Sequence, residues 1–509
     1  MRNYLIGVDL GTNGIKTAIL DLQGNVLQDS YRETTIYYPR PGLVEQNPDE
    51  FYKITLYSIK DVLERSKVAP GQILAVGFDG QMGGVLGIDR NYNPVTHYDI
   101  VLDTRCQKYS DLLRDRYEDL IFKHTCGSPC HAPKILWWKN ERKDIYKKIH
   151  KFIVLSSYVV GKMAGLSGDE AFIDHTNLSF SGLNEATKLT WSEEICGLLG
   201  VDMDKLPRVV KPWKIVGKVD RISTRICGLK EGTPLVAGAG DQPAGFLGAG
   251  MTKPGLAIDV AGSSSVFSIC TDKFVPDLQN KTIVYMNSVI PTLYYPLSYI
   301  SGGGLSLRWF RDQFAHEEKR EAAKRGINIY ALLDEKSRSL PPGSCSLLFI
   351  PHLGGRACPY DFKVRGAWIG LNWGHTKAHL YRAILESIAY DYYYALKLLK
   401  KLFLSVKIET VRVIGGGARS DFWNQIKADV LNIPYIRLDK KELAILGSAI
   451  IAGYAVGVYH DLSDTSQALI NEVSRINPDV SNHQIYKKFA QHYENLLNQL
   501  KPTFHSLLE

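Results

Sequence analysis

Tyr4-Leu5-Ile6-Gly7-Val8-Asp9-Leu10, then Gly11-Thr12-Asn13-Gly14, then Ile15-Lys16-Thr17-Ala18-Ile19-Leu20-Asp21 is the stretch that decides the fold. A short, nearly continuous apolar run reads as a buried strand. Gly and Asn reach positive φ at little cost, so residues 11–14 read as a turn. A second strand follows, and Gln23-Gly24-Asn25 turns the chain into a third. The unit is a hairpin with an acid at the end of its first strand and a Gly-Thr tip.

The same unit recurs half a chain length later. Gly255-Leu256-Ala257-Ile258-Asp259-Val260-Ala261 reads as a strand, Gly262-Ser263-Ser264-Ser265 as a turn, and Val266-Phe267-Ser268-Ile269 as a strand. A duplication on this scale predicts two domains of related topology, each presenting a hydroxyl-bearing tip. The copies differ in one respect: aligned on their tips, Asp9 falls on Val260, so the acid belongs to the first copy alone.

Between the copies, Pro234-Leu235-Val236-Ala237-Gly238-Ala239-Gly240 reads as a buried strand running into Asp241-Gln242-Pro243-Ala244. Proline is comfortable in a first helical turn, which puts Asp241 where a strand gives way to a helix. Gly and Pro cluster over 248–254, and the domains are expected to divide there, as 1–249 and 250–509. Leu380, Ile384, Ile388, Ala395, Leu399 and Leu402 recur at helical spacing and predict a long amphipathic helix from His375 to Phe403. Thr410–Ile414 reads as a strand entering Gly415-Gly416-Gly417, with a helix starting near Phe422. Ala444, Gly447, Ser448, Ala449, Ala452 and Gly453 give one more helix a small-residue side that allows close approach.

Composition narrows the class. A chain of 509 residues with 45% hydrophobic and 22% charged residues is an ordinary globular chain, too long for one core. Sixty-one Lys+Arg against 53 Asp+Glu leaves a net charge of +8, thin for the length. That suits small anionic substrates and excludes the dense basic stripe of a nucleic-acid binder. Lys397, Lys400 and Lys401 read as a solvated helix face. The uncharged run Leu443–Tyr459 is shorter than the ~20 residues of a membrane span and reads as a buried helix. Eight cysteines are few for a disulfide framework, and Met1 to Ile6 enters a strand without a signal peptide; a cytoplasmic protein is expected. His124 to His131 holds two Cys and two His, but without a second separated ligand pair it reads as a loop before a helix.

Tips rich in Gly, Ser and Thr present backbone N–H groups and hydroxyls to phosphate oxygens. With Gly415-Gly416-Gly417 at a strand-to-helix junction, they point to a nucleotide held between two lobes. No G-x-x-x-x-G-K-[ST] segment is present, which excludes a Walker-type site. Asp9 suits water-mediated Mg²⁺ binding, a hard cation preferring oxygen; it equally suits a turn-capping role. Asp241 is either a helix cap or an acid held ionised by the helix end, able to take a proton from a substrate hydroxyl that attacks a γ-phosphate.

These segments together resemble the FGGY carbohydrate kinase family over nearly the whole chain, closest in pattern to its xylulose kinase-like members. Gly366-Ala367-Trp368-Ile369-Gly370-Leu371 followed by His379 to Glu386 is similar to the family's C-terminal signature. Gly7 to Thr12 looks like its first phosphate motif, Gly262-Ser263 its second, and Gly415 to Ser420 with Trp423 and Gln425 its adenosine motif. Gly240 to Gly245 looks like the segment with its catalytic aspartate.

The resemblance implies two ribonuclease H-like α/β domains of the sugar kinase and actin superfamily, with ATP, Mg²⁺ and a sugar in the cleft. It implies phosphorylation of a primary hydroxyl of a small ketose, most simply a pentulose, with Asp241 as general base and Asp9 and Asp241 at the metal. The phosphate and nucleotide contacts it implies are Gly11, Thr12, Asn13, Lys16, Gly262, Ser263, Gly415, Gly416, Gly417 and Asn424. Those to the sugar are Gln81, Met82, Asp103, Asp241 and Gln242, with Arg105 either a sugar ligand or an ion-pair partner. Gly83 stands where xylulose kinases carry His, Val101 where the family has Trp, and Gly355 where it has Glu, which leaves ribulose, hexuloses, tetritols and other polyols open as substrates. A non-catalytic, actin-like ATP-driven clamp is the alternative, against which Asp241 and the sugar segment speak. Exposed helices of this kind permit a homodimer; neither nucleic acid nor membrane is expected as a partner.

Overall fold

The computed structural model describes residues 3–508. Met1, Arg2 and Glu509 lie outside it, and with them the first residues of the leader reading and the outer limits of the two expected domains.

The first sheet is built from Tyr4–Leu10 (β1), Gly14–Asp21 (β2), Val26–Glu33 (β3), Ile73–Gly80 (β4), Ile215–Lys218 (β5), Pro234–Val236 (β6) and Ala239–Gly240 (β7). Its order is β5-β6-β4-β1-β2-β3, with β7 alongside β4. β1 is antiparallel to β2 and parallel to β4, which sets Asp9 opposite Lys16 on one side and Asp79 on the other. The near-continuous apolar run of β1 is what a strand buried on both faces requires.

The second sheet repeats the scheme. Leu256–Ala261 (β8), Ser265–Ile269 (β9), Val284–Asn287 (β10), Tyr294–Ile300 (β11), Thr410–Ile414 (β12), Tyr435–Leu438 (β13) and Glu472–Ile476 (β14) run in the order β10-β11-β9-β8-β12-β13-β14. β8 is antiparallel to β9 and parallel to β12, as β1 is to β2 and β4. The duplicated hairpin of the sequence is thus the centre of each sheet.

Four helices position the cleft: Asp241–Gly248 (α1), Lys377–Leu402 (α2), Asp421–Leu431 (α3) and Leu443–Ala455 (α4). α2 starts two residues later than its periodicity predicts. Thr376 is extended and its backbone N–H donates to His379 Nδ1 at 3.1 Å, so the chain is capped before the apolar stripe begins.

α4 lies where the lobes meet. A Cβ on Gly447 would stand 1.9 Å from the carbonyl oxygen of Ala244 in α1, and one on Gly77 of β4 would stand 2.0 Å from that of Ser448. Glycine is required at both, because backbone meets backbone with no room for a side chain. Leu5, Ala75, Phe246, Leu247, Ile445 and Ile450 close the core between the lobes, distinct from the core of each lobe. Among the described residues no helix is long and apolar enough to cross a membrane.

Candidate active site

Three carboxylates converge at the strand ends of the first lobe. Asp9 is the penultimate residue of β1, and its parallel partner on β4 is Asp79. Asp79 is in turn level with Ala239 of β7, two residues before Asp241. Asp241 opens α1, its Oδ1 accepting a hydrogen bond from the Gln242 N–H at 2.7 Å. Asp9 and Asp241 keep part of their surface, as groups on a cleft floor do, whereas Asp79 is fully buried.

Burial and mutual repulsion shift all three carboxyls upward. Burial pushes Asp241 up to about 7, helped by the charge at Asp9 and opposed by the amides of the helix start. Burial also pushes Asp9 up to about 6, although contacts with Asp79 and Lys16 favour its charge. Asp79 is driven well above the carboxylate range by burial and then by the charges at Asp9 and Asp241. Its Oδ2 accepts from the Ser448 hydroxyl at 2.7 Å, and its side chain lies against that of Asp9. Sequence reading missed Asp79. Its one signal was an acid inside an otherwise apolar strand, Ile73 to Gly80.

The first tip is wired to the expected sugar segment. Thr12 Oγ1 donates to Gln81 Oε1 at 3.1 Å, Gln81 Nε2 donates to Gln46 Oε1 at 2.7 Å, and Gln46 Nε2 returns to the Thr12 carbonyl at 2.8 Å. Gly11 and Asn13 share that turn, and the Asn13 carbonyl accepts from the Thr34 N–H. Lys16 forms a 2.6 Å ion pair with Glu442 of the other lobe. Met82 packs its thioether on Gly240, where a Cβ would stand 2.3 Å from the sulfur. Gln242 follows Asp241 in the first turn of α1, half-buried.

The second tip adjoins the glycine run. Gly415 has φ of 85°, and a Cβ there would stand 2.9 Å from the Ala261 carbonyl, next to Gly262. The Ser263 carbonyl accepts from the Leu305 N–H at 3.0 Å. Gly417 lies against the Trp423 ring, while among the described residues nothing lies within 4 Å of the position a Cβ on Gly416 would take. Asn424 is buried beneath the loop with its amide donating to the Ala418 carbonyl at 2.9 Å; it braces the loop from below.

Asp103 is held in a network of its own. Its Oδ2 accepts from the Val44 N–H at 2.6 Å and Arg105 Nη2 at 2.7 Å, and its Oδ1 from Arg105 N and Nε. These four bonds fill the accepting capacity of a carboxylate. Arg105 is an ion-pair partner here, continuing to Glu45 at 2.5 Å. The C-terminal signature also carries architecture: Arg382 and Glu386 form a buried 2.7 Å pair one turn apart on α2, joined by Tyr486. Among the described residues no group of three or more His, Cys, Asp or Glu is arranged to hold a metal, the His124–His131 segment included.

The chain thus folds as two lobes of repeated topology with an acid cluster where they meet. A crystal structure of ligand-bound xylulose kinase from Lactobacillus acidophilus superposes with a TM-score of 0.90 at 22% identity, covering 99% of this chain and 100% of that one. The pattern of the FGGY family of carbohydrate kinases matches residues 4–248 for its N-terminal domain and 258–456 for its C-terminal domain; the chain belongs to this family and is a carbohydrate kinase. It is 28% identical to a xylulose kinase of Bacillus subtilis over 503 residues, 98% of this chain and 97% of that protein. It is also 28% identical to a gluconokinase of Bacillus licheniformis over 507 residues, with 98% and 97% covered.

Proposed function

We propose that this kinase transfers the γ-phosphoryl group of Mg-ATP to a primary hydroxyl of a small ketose, with Asp241 as the general base. The observation that carries the reading is Asp241 at the start of α1, beside Asp9, whose Oδ1 lies 3.7 Å from the position a Cβ on Gly11 of the first tip would take. The substrate O–H gives its proton to the Asp241 carboxylate. Its oxygen bonds to the γ-phosphorus while the bond to the β–γ bridging oxygen breaks, and ADP leaves with that electron pair. A base held near the working pH is best placed for such a transfer.

Magnesium fits the donor set, since Asp9 and Asp241 are hard oxygen ligands whose mutual repulsion a dication relieves, and when bound it supplies charge neutralisation at the phosphates. Asp9 would hold it, with Asp241 alongside. Gly11, Thr12, Asn13, Lys16, Gly262 and Ser263 would cradle the phosphates, and Gly415 to Gly417 would lie under the nucleoside with Asn424 bracing them. Gln81, Met82 and Gln242 would line the sugar site, and Asp103 would shape it through Arg105. We place the division of the lobes at 249/250 and the protein in the cytoplasm.

A ketopentose is the first substrate to test, the chain being similar to xylulose kinases. The similarity to gluconokinases favours a second reading, an aldonate acceptor. An ADP-release screen of ketoses, polyols and aldonates with Mg-ATP separates them. Sugar-dependent ADP release is expected with at least one ketose; ATP hydrolysis indifferent to every acceptor would refute the reading.

A further inference from the structure

One ion pair of the second lobe is sealed from water. Lys427 of α3 pairs with Oδ2 of Asp259 in β8, and neither side chain has any exposed surface. The other carboxylate oxygen, Oδ1, accepts from the Tyr392 hydroxyl of α2 at 2.8 Å. The ammonium group lies over the Trp423 ring, 4.2 Å from its centroid, and 5.2 Å from that of Tyr435. A cation desolvated against an aromatic face is attracted to it. Even so, withdrawing two charges from water costs so much that apolar side chains of similar volume often hold a fold equally well. Stability alone is therefore a weak reason for this pair.

Its position supplies a better one. Asp259 lies three residues before Gly262 of the second tip. Its parallel partner on β12, Val413, lies two residues before Gly415. Lys427 follows Trp423 by one turn of α3. A Cβ on Gly417 would stand 2.5 Å from Cζ3 of the Trp423 ring and 2.7 Å from the Cβ of Ala261, at the end of β8. The indole N–H is fixed in turn by the Leu385 carbonyl at 3.1 Å. The glycine run, the helix that follows it and the strand that carries the second tip thus meet at Trp423, and Lys427 with Asp259 joins that helix to that strand.

We propose that Lys427 and Asp259 are positioning residues for the nucleotide: the pair seats the Trp423 ring against Gly417 and locks α3 to β8, so that the glycine run and the second tip keep the spacing that one ATP molecule spans. An apolar contact would let the helix slide on the strand; a charge pair with a fixed hydroxyl on its second oxygen admits one register. Both residues act through Trp423 and the backbone, without touching ATP. The proposal rests on the nucleotide placement given above.

The test uses the full chain with Lys427→Met, and with the double substitution Asp259→Asn/Lys427→Met, which leaves no buried charge unpaired. Lys427→Met strands a buried carboxylate and is expected to melt lower; the double variant is expected to melt close to wild type. In both, the Kd for Mg-ATP by calorimetry and its KM are expected to rise roughly tenfold, while kcat and the KM of the ketose with the fastest ADP release stay within about twofold, as befits the loss of a desolvated cation–ring contact at the nucleotide alone. The emission of Trp423, taken as the difference between each protein and its Trp423→Phe counterpart, is expected to shift in both. Mg-ATP affinity that recovers with melting temperature in the double variant makes the pair structural only and overturns the proposal. So does affinity unchanged in both variants, equal weakening for Mg-ATP and ketose, or unaltered Trp423 emission. If Lys427→Met does not fold, the double variant decides by the same readings. Wild-type protein that binds no Mg-ATP overturns the nucleotide placement itself.

Discussion

Ser448, on a helix of the second lobe, donates a 2.7 Å hydrogen bond to Asp79, a buried acid on the central strand of the first. The bond joins the lobes directly beneath the acid cluster, because Asp79 is also the parallel-strand neighbour of Asp9. Ser448→Ala removes the hydrogen bond to Asp79 Oδ2 and leaves that buried acceptor unsatisfied. A loss of ~1–3 kcal/mol is expected, the cost of an unsatisfied buried acceptor, read as a lower denaturant midpoint. A midpoint equal to wild type would mean the bond adds nothing to the fold.

Gly447 is where α4 touches α1. The Cβ of Gly447→Ala would fall on the Ala244 carbonyl, which cannot rotate away, so the helices must separate. Overpacking of this kind costs typically ~1–3 kcal/mol. Because α1 begins with Asp241, turnover is expected to fall together with melting temperature; a variant that melts like wild type and turns over at the wild-type rate would show the contact to be slack.

Lys16 and Glu442 tie the first tip to the second lobe across the cleft. Both are partly exposed, so the pair is worth little in stability, about 0–1 kcal/mol. Glu442→Gln frees the lysine for phosphate. Tighter Mg-ATP binding with little change in melting temperature is expected by calorimetry; weaker nucleotide binding would assign the glutamate a direct role.

Acid sensitivity should appear far from the site. Asp361 accepts from His505 at 2.9 Å and pairs with Lys501 at 3.0 Å, fastening the helix Val480–Ser506 to the loop preceding the C-terminal signature. Burial alone would raise its carboxyl, but these partners outweigh it and hold it below the ordinary 3.8. Its stabilisation is therefore complete above that ordinary value and drains away as the pH falls through the lower folded one. Faster amide exchange in the C-terminal helix below pH ~4, already present at neutral pH in Asp361→Asn, is the expected observation; exchange insensitive to both would remove the anchor.

What could be read from the sequence was local. The hairpin about Gly11-Thr12, its copy about Gly262-Ser263, and the strand-to-helix junction at Asp241 each lie within a few consecutive residues, where period and turn chemistry act directly. The small-residue side of Leu443–Ala455 announced close packing without naming its partner. Asp79 was hidden because its meaning comes from pairing with a strand some 70 residues earlier and from a serine in the other lobe. The occupation of Arg105 by Glu45, and of Lys16 by Glu442, likewise exists only once distant segments meet. Long-range electrostatics, unlike strand period, leaves no mark on neighbouring residues.

Asp241→Asn, assayed for turnover and for Mg-ATP affinity on the same preparation, goes most directly to the heart of the mechanism. Nucleotide binding close to wild type with a loss of roughly 10²–10⁴-fold in kcat is expected, the range for removing a general base. Sugar phosphorylation at a near wild-type rate would contradict it and take Asp241 out of the chemistry.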